Sequence, residues 1–252
     1  TQPNYRMELT TDACIVGAGP GGAATALKLS YLGIPSVLLD KAAFPRDKVC
    51  GDAISGKVTT LLNRLDPDIL KRFNATPIQS DVWGIQFVAP NNRPLNIPFR
   101  PNYVRDAAEA PGYVAKRVDF DNFLVEEVKR RDNIQFFERA EANTFARTPN
   151  GWAVHAKGGQ LIVHCRMLIV ASGAYSAFSR KVAGLKKDNR PYAAAVRAYY
   201  RNVKALDKDN FIELHFIKSI TPGYFWVFPL PNGEANVGLG MRSDILNRRK
   251  VN

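Results

Sequence analysis

Residues 12–40 read DACIVGAGPGGAATALKLSYLGIPSVLLD, and they restrict the possible folds more than any other part of the chain. A short apolar strand, residues 13–16, runs into Gly17-x-Gly19-x-x-Gly22. A helical run rich in Ala and Leu follows, and a second apolar strand at 36–39 ends on Asp40. Each part has a physical reason. Gly17 permits a tight strand-to-helix turn, and Gly19 has no Cβ to keep a pyrophosphate from the backbone. Gly22 lets the helix pack close to the strand. The open N–H groups at the helix start face the phosphates. Asp40 stands where a carboxylate takes the ribose hydroxyls of an adenosine. The strand, helix, second strand and acid occur in the order a dinucleotide-binding unit requires.

The bulk properties agree with a globular α/β protein. A length of 252 residues allows one large domain or two joined ones. No apolar run approaches the length of a membrane span. The N-terminus, TQPNYRMELTTD, has neither an initiator Met nor an apolar signal core, which reads as a processed or trimmed cytoplasmic protein. Cys14, Cys50 and Cys165 are too few and too widely spaced for a disulfide framework. His155, His164 and His215 have no metal-site spacing and read as strand residues. The net charge of +12 suits an anionic dinucleotide, an anionic lipid surface or nucleic acid. Its Lys and Arg residues are scattered, however, with no aromatic-interleaved stripe, which argues against a nucleic-acid groove. The charge is compatible with peripheral membrane contact.

Along the chain, helices are expected at 56–65, over PDILKRF, and at 118–131. A strand is expected at 82–87, with a return strand at LNIPFR, followed by a long loop at 101–112. Strands at 134–138, 140–148, 151–156 and 160–170 follow, the last three as an antiparallel meander. Further strands at 193–203, 211–218, 223–229 and 234–241 read as mainly antiparallel sheet. The expected architecture is a doubly wound, Rossmann-like FAD-binding domain with an inserted antiparallel substrate domain. The expected division is 1–80 with 103–190 for the first and 81–102 with 191–252 for the second.

The opening unit alone fits NAD or FAD, and three later segments favour FAD. Residues 168–176, LIVASGAYS, form a strand running into a small-residue turn at Ser172-Gly173, whose backbone can approach another part of a dinucleotide. Arg117, at a helix start, can meet a phosphate or stack on a ring; it reads equally as a surface cation. The loop FPRDKVCGD follows Asp40 and Lys41 closely. In it Cys50 is either a functional thiol or a small residue beside a tight Gly51 turn.

These segments together resemble the geranylgeranyl reductase family of FAD-dependent oxidoreductases, relatives of the para-hydroxybenzoate hydroxylase-like flavoproteins. The resemblance is carried by GAGPGGAATALKLSYLGIPSVLLDK, by the PR-x-K-x-CG signature at Pro45, Arg46, Lys48, Cys50 and Gly51, and by Arg117 ahead of Phe120-Asp121-x-x-Leu124. It continues in the Y-x-W-x-F-P motif at Tyr224, Trp226, Phe228 and Pro229, followed by NVGLGM at 236–241. It implies that Gly17, Gly19, Pro20, Gly22, Asp40, Lys41, Arg46, Cys50, Gly51, Arg117, Ser172 and Gly173 hold FAD. It also implies that Cys50 and Tyr224 lie near the reacting atoms, and that Tyr224, Trp226 and Phe228 wall a pocket for an isoprenoid chain. The residues alone favour ordinary β-core packing over such a pocket.

The implied activity is reduction of carbon–carbon double bonds in a prenyl lipid, with a nicotinamide, ferredoxin or quinol as electron donor. The implied setting is cytoplasmic or membrane-peripheral. Two departures stand out. Ser172-Gly173 occupies the place of an Asp-Gly pair, and no Gly-Asp-Ala segment follows Met241, so a truncated chain is expected. The alternatives are a flavin-dependent monooxygenase or halogenase and a non-catalytic protein of the same fold. Halogenases carry a related G-W-x-W-x-I-P motif; Tyr224, Phe228, Lys48 and Cys50 depart from the halogenase pattern.

Overall fold

The structure, a computed structural model, describes residues 6–105, 109–186 and 192–249. The first five residues of the N-terminal segment, the middle of the 101–112 loop, and positions 187–190 and 250 of the basic clusters lie outside the described residues. In chain order the elements begin with β1 (Met7–Val16), α1 (Pro20–Tyr31), β2 (Ser36–Leu39), β3 (Ala53–Ile54), α2 (Gly56–Leu65), α3 (Pro67–Asn74), β4 (Gln79–Val82) and β5 (Gly84–Val88). Next come β6 (Pro94–Pro98), β7 (Gly112–Ala115), α4 (Arg117–Lys129), β8 (Ile134–Phe137), β9 (Ala142–Thr148), β10 (Gly151–Ala156) and β11 (Leu161–Val170). The last are α5 (Ala177–Lys181), β12 (Ala193–Tyr200), β13 (Ile212–His215), β14 (Gly223–Leu230), β15 (Glu234–Arg242) and α6 (Ser243–Arg249). Among the described residues no helix is long and apolar enough to cross a membrane.

The chain packs as two units, Thr1–Asp47 with Val118–Lys187 and Lys48–Arg117 with Asp188–Asn252. The first is built on a six-stranded sheet in the order β8-β2-β1-β11-β10-β9. Strands β8, β2, β1 and β11 are parallel, and β10 and β9 continue the sheet antiparallel. The four residues of β2, Ser-Val-Leu-Leu, are all buried, as an interior parallel strand covered on both faces requires. Cys14, Val37, Leu39, Val154, Leu161 and Val163 belong to one apolar cluster of this core. The expected meander of β9, β10 and β11 is present. Strand β1 starts earlier than its apolar stretch, because its pairing with β11 runs back to Met7 opposite Leu161. Cys14 and Cys165 are buried free thiols of this sheet. The contact between them and burial push the Cys14 thiol above its ordinary range, which makes it an inert core residue.

The second unit holds a six-stranded sheet, β12-β15-β14-β13-β5-β6, and a three-stranded one, β3-β7-β4. The six-stranded sheet is antiparallel except for the β13–β5 pair, which is parallel. Helix α3 starts at an Asp66 cap that accepts Asp68 N–H, with Pro67 in the first turn. The core joins the two sheets: Val82 and Val114 pack with Trp226, Phe228 and Leu230.

Several boundaries differ from expectation for physical reasons. The strand expected at 82–87 is two strands in different sheets, parted at Trp83, which is 1% exposed and stacks on Tyr103 at 5.1 Å. The loop expected over 101–112 ends in β7, whose four residues are all buried. The strands expected at 193–203 and 211–218 stop at Tyr200 and His215. The division into units also departs from the expected one. Residues 48–80 and 103–117 pack with the second unit, because β3, β4 and β7 pair with one another.

Candidate functional site

In the first unit the three glycines act as their spacing predicts. Gly17 has φ +104°, and a Cβ there would stand 2.5 Å from the Ala171 carbonyl oxygen. A Cβ on Gly22 would lie 1.7 Å from the Gly17 carbonyl oxygen. Neither position admits a side chain, and both hold α1 tight against the β1 and β11 ends. Gly19 is different: a Cβ there would meet only Arg46 Nη2, at 3.5 Å. The backbone at Gly19 thus faces open space with a guanidinium beside it. Pro20 opens α1, no side chain caps the helix and its first turn has no acid. Helix N–H groups, a positive dipole end and an arginine converge there, a combination suited to a pyrophosphate.

Arg46 is held in that place. Its Nη1 donates to Asp121 Oδ2 at 2.9 Å, and its guanidinium lies 4.9 Å from the Phe44 ring centroid. The Asp121 side chain is fully buried and that of Arg46 is 20% exposed. A buried carboxylate that fixes one edge of a guanidinium leaves its other nitrogens for a ligand. Asp40 is buried as well. Its Oδ2 accepts Ala18 N–H at 2.7 Å and its Oδ1 accepts Ala42 N–H at 2.8 Å. Asp40 therefore braces the glycine loop in addition to offering lone pairs to a ribose. Ser172 and Gly173 are exposed just beyond β11. The Ser172 Cα lies 3.0 Å from where a Gly17 Cβ would stand, so this turn adjoins the loop. Lys41 is exposed.

In the second unit, the Cys50–Gly51 turn lies against the aromatic strand. A Cβ on Gly51 would stand 2.9 Å from Phe228 Cε2. Along β14 the rings of Tyr224, Trp226 and Phe228 follow one another at 6.0 and 6.3 Å. Trp226 and Phe228 are buried and Tyr224 is 41% exposed. The Trp226 indole lies over Gly238, where a Cβ would collide with Cζ2 at 2.0 Å. Arg117 is half-buried, and its backbone N–H donates to Asp52 Oδ1 at 3.3 Å.

The structure therefore gathers Gly17, Gly19, Pro20, Gly22, Asp40, Arg46, Ser172 and Gly173 in one unit. In the other it brings Cys50 and Gly51 onto the strand of Tyr224, Trp226 and Phe228. Sequence reasoning passed over Asp121, Asp52, Tyr199 and Asn236. Asp121 stands inside Phe120-Asp121-x-x-Leu124, Asn236 opens NVGLGM, and Asp52 directly follows Cys50-Gly51. A buried charge needs a partner, and that partner is visible only in three dimensions.

The chain matches the FAD binding domain family over residues 10–235. It is 29% identical over 93% of its length to a menaquinone reductase of Mycolicibacterium smegmatis, of which it spans 56%. It is 30% identical over 94% of its length to digeranylgeranylglycerophospholipid reductase 1 of Methanothermobacter thermautotrophicus, of which it spans 57%. The crystal structure of a geranylgeranyl bacteriochlorophyll reductase-like protein from Thermoplasma acidophilum superposes with a TM-score of 0.80 at 25% identity, over 97% of this chain and 59% of that one. The chain thus spans about half the length of the curated relatives it matches. With the glycine cradle, the open approach at Gly19 and the family match in agreement, the chain belongs to the FAD binding domain family.

Proposed function

We propose that this chain belongs to an FAD-dependent oxidoreductase that saturates carbon–carbon double bonds of a prenyl lipid. One observation carries the reading: the Cys50–Gly51 turn sits on Phe228 within a run of three aromatic rings. An exposed ring, Tyr224, at the end of an apolar run suits an isoprenoid chain better than a polar substrate. The reductase names of the relatives support a lipid substrate.

Reduced FAD supplies a hydride when bound. The roles of the chain's own residues follow from their places. Gly17, Gly19, Pro20 and Gly22 admit the pyrophosphate, and Arg46, held by Asp121, neutralises it. Asp40 takes the ribose, and Lys41, Ser172 and Gly173 are the remaining proposed cofactor contacts of that unit. Tyr224, the exposed ring of the run, is the proposed lipid contact; Trp226 and Phe228, expected to wall the pocket, are packed in the core and back it. Cys50 and Tyr224 are the proposed proton donors: a thiol or phenol at either place would give its proton to one carbon of the double bond. The proposed electron donor is a nicotinamide, a ferredoxin acting one electron at a time, or a quinol.

The test is anaerobic. FAD-loaded protein is reduced with dithionite, excess reductant is removed, and a geranylgeranyl lipid is added. Reoxidation of the flavin with a gain of two hydrogens per double bond in the lipid supports the reading. Flavin that stays reduced with an unchanged lipid argues against it, and halide-dependent substrate consumption in a separate aerobic assay would favour the halogenase reading instead.

A further inference from the structure

One buried amide ties the thiol-bearing turn to the aromatic strand. Asn236 is fully buried and stands opposite Phe228 in the β14–β15 pair. Its Nδ2 donates to the Cys50 carbonyl at 2.9 Å and to Asp52 Oδ2 at 2.7 Å. Its Oδ1 accepts the Trp226 indole N–H at 2.9 Å. These partners permit only one orientation. A flipped amide would set its oxygen against a carbonyl and a carboxylate, and its NH2 against the indole N–H.

Asp52 anchors the other side. Its Oδ2 also accepts the Tyr199 hydroxyl at 2.7 Å, and its carbonyl oxygen accepts Ala115 N–H at 3.0 Å. Asp52 itself is 1% exposed with φ +66°, a backbone conformation uncommon outside glycine. The Tyr199 ring is flanked by the Arg197 guanidinium at 4.2 Å and the Lys116 ammonium at 5.0 Å. Burial raises the Asp52 carboxyl above its ordinary value, against the hydrogen bonds it accepts.

Such a cluster is a costly way to fill a core, since buried charged networks are often matched in stability by apolar packing. Its value lies in direction. Every bond in it fixes an angle, and two of them end on the Cys50 carbonyl and the Trp226 indole.

We propose that Asn236 is a positioning residue. It holds the Cys50–Gly51 turn and the Trp226 indole in one arrangement, with Asp52 and Tyr199 setting the direction of its amide. The use made of that arrangement rests on the oxidoreductase reading; the physical coupling does not.

The test needs no flavin, reductant or lipid, so it does not depend on the reaction being right. The protein is labelled with 15N-tryptophan, and the Trp226 indole N–H signal is identified by its loss in Trp226→Phe. The rate of Cys50 alkylation by iodoacetamide is followed on the Cys50 peptide by mass spectrometry. Asn236→Asp removes the donor to the Cys50 carbonyl; it is expected to change the alkylation rate several-fold and to move the indole signal. Asp52→Asn has no hydrogen bond to Trp226, yet it is expected to move both readouts together. A filler of the core would lower the melting temperature without moving the two in concert at temperatures well below unfolding. Asn96→Ala, on the far edge strand β6 and bonded to Gln86, is expected to leave both unchanged. A folded Asp52→Asn protein with the wild-type indole signal and the wild-type Cys50 rate overturns the proposal. If that variant does not fold, Tyr199→Phe, which removes a single hydroxyl, decides by the same two readouts.

Discussion

At the scale of single residues, Arg46 has the most to lose. Its guanidinium stands beside Gly19 because Asp121 holds it there. Removing a charged hydrogen-bonding partner costs about 1.5–3 kcal/mol, so Arg46→Ala is expected to weaken FAD binding by about 10- to 100-fold. Arg46→Lys is expected to recover only part of that, since an ammonium lacks the fork geometry. Asp121→Asn is expected to weaken binding less than Arg46→Ala. Equilibrium titration followed by flavin fluorescence measures all three, and wild-type affinity in Arg46→Ala would remove Arg46 from the site.

Asp52 allows a prediction of sign in pH. Its folded carboxyl titrates above the ordinary value because of burial. The stability it contributes is therefore full below the ordinary pKa and is lost as pH rises through the folded one. Relative to wild type, Asp52→Asn is expected to gain stability steadily between acid and neutral pH, measured by urea unfolding across that range. A difference that stays flat, or one that falls, would contradict the assignment. Arg46 and Cys50 were singled out because they stand in the PR-x-K-x-CG signature that carries the family resemblance. Asp121 and Asn236 were not singled out, since their importance lies in partners far along the chain.

At the scale of elements, the opening βαβ unit was readable in full because every part of its signal is local: turn, helix start, strand and acid. The prediction that belongs here is steric. Gly22→Ala would drive a methyl to 1.7 Å from the Gly17 carbonyl oxygen, and α1 cannot move without losing its seat on β1. Gly22→Ala is expected to abolish flavin binding and to lower the melting temperature, by differential scanning fluorimetry. Gly238→Ala meets the Trp226 ring instead. Overpacking of this kind typically costs about 1–3 kcal/mol, and it is expected to displace the indole while leaving FAD affinity in place. Elements stabilised by distant pairing were harder to read. Strand β7 hides at the end of a loop-like sequence because its partners, β3 and β4, lie 30 or more positions away and no local pattern announces them. Trp83 reads as one residue of a continuous strand, yet its burial against Tyr103 is where β4 and β5 part.

At the scale of the whole molecule, one unit carries the dinucleotide cradle and the other the aromatic strand with the thiol turn. The expected fold class holds, while the chain contributes more of itself to the second unit than its hydrophobic pattern suggested. Residues 48–80 and 103–117 are the reason: the helices at 56–65 and over PDILKRF are as expected, but β3, β4 and β7 pair with one another and carry these stretches into that unit. The central claim is that the glycine loop and Arg46 form a working FAD site. The most direct measurement is the visible absorbance of the purified chain after incubation with FAD and removal of the excess, with Arg46→Ala beside it. A retained flavin spectrum, strongly diminished in Arg46→Ala, is the predicted result. A wild-type chain that emerges without flavin absorbance would contradict the account.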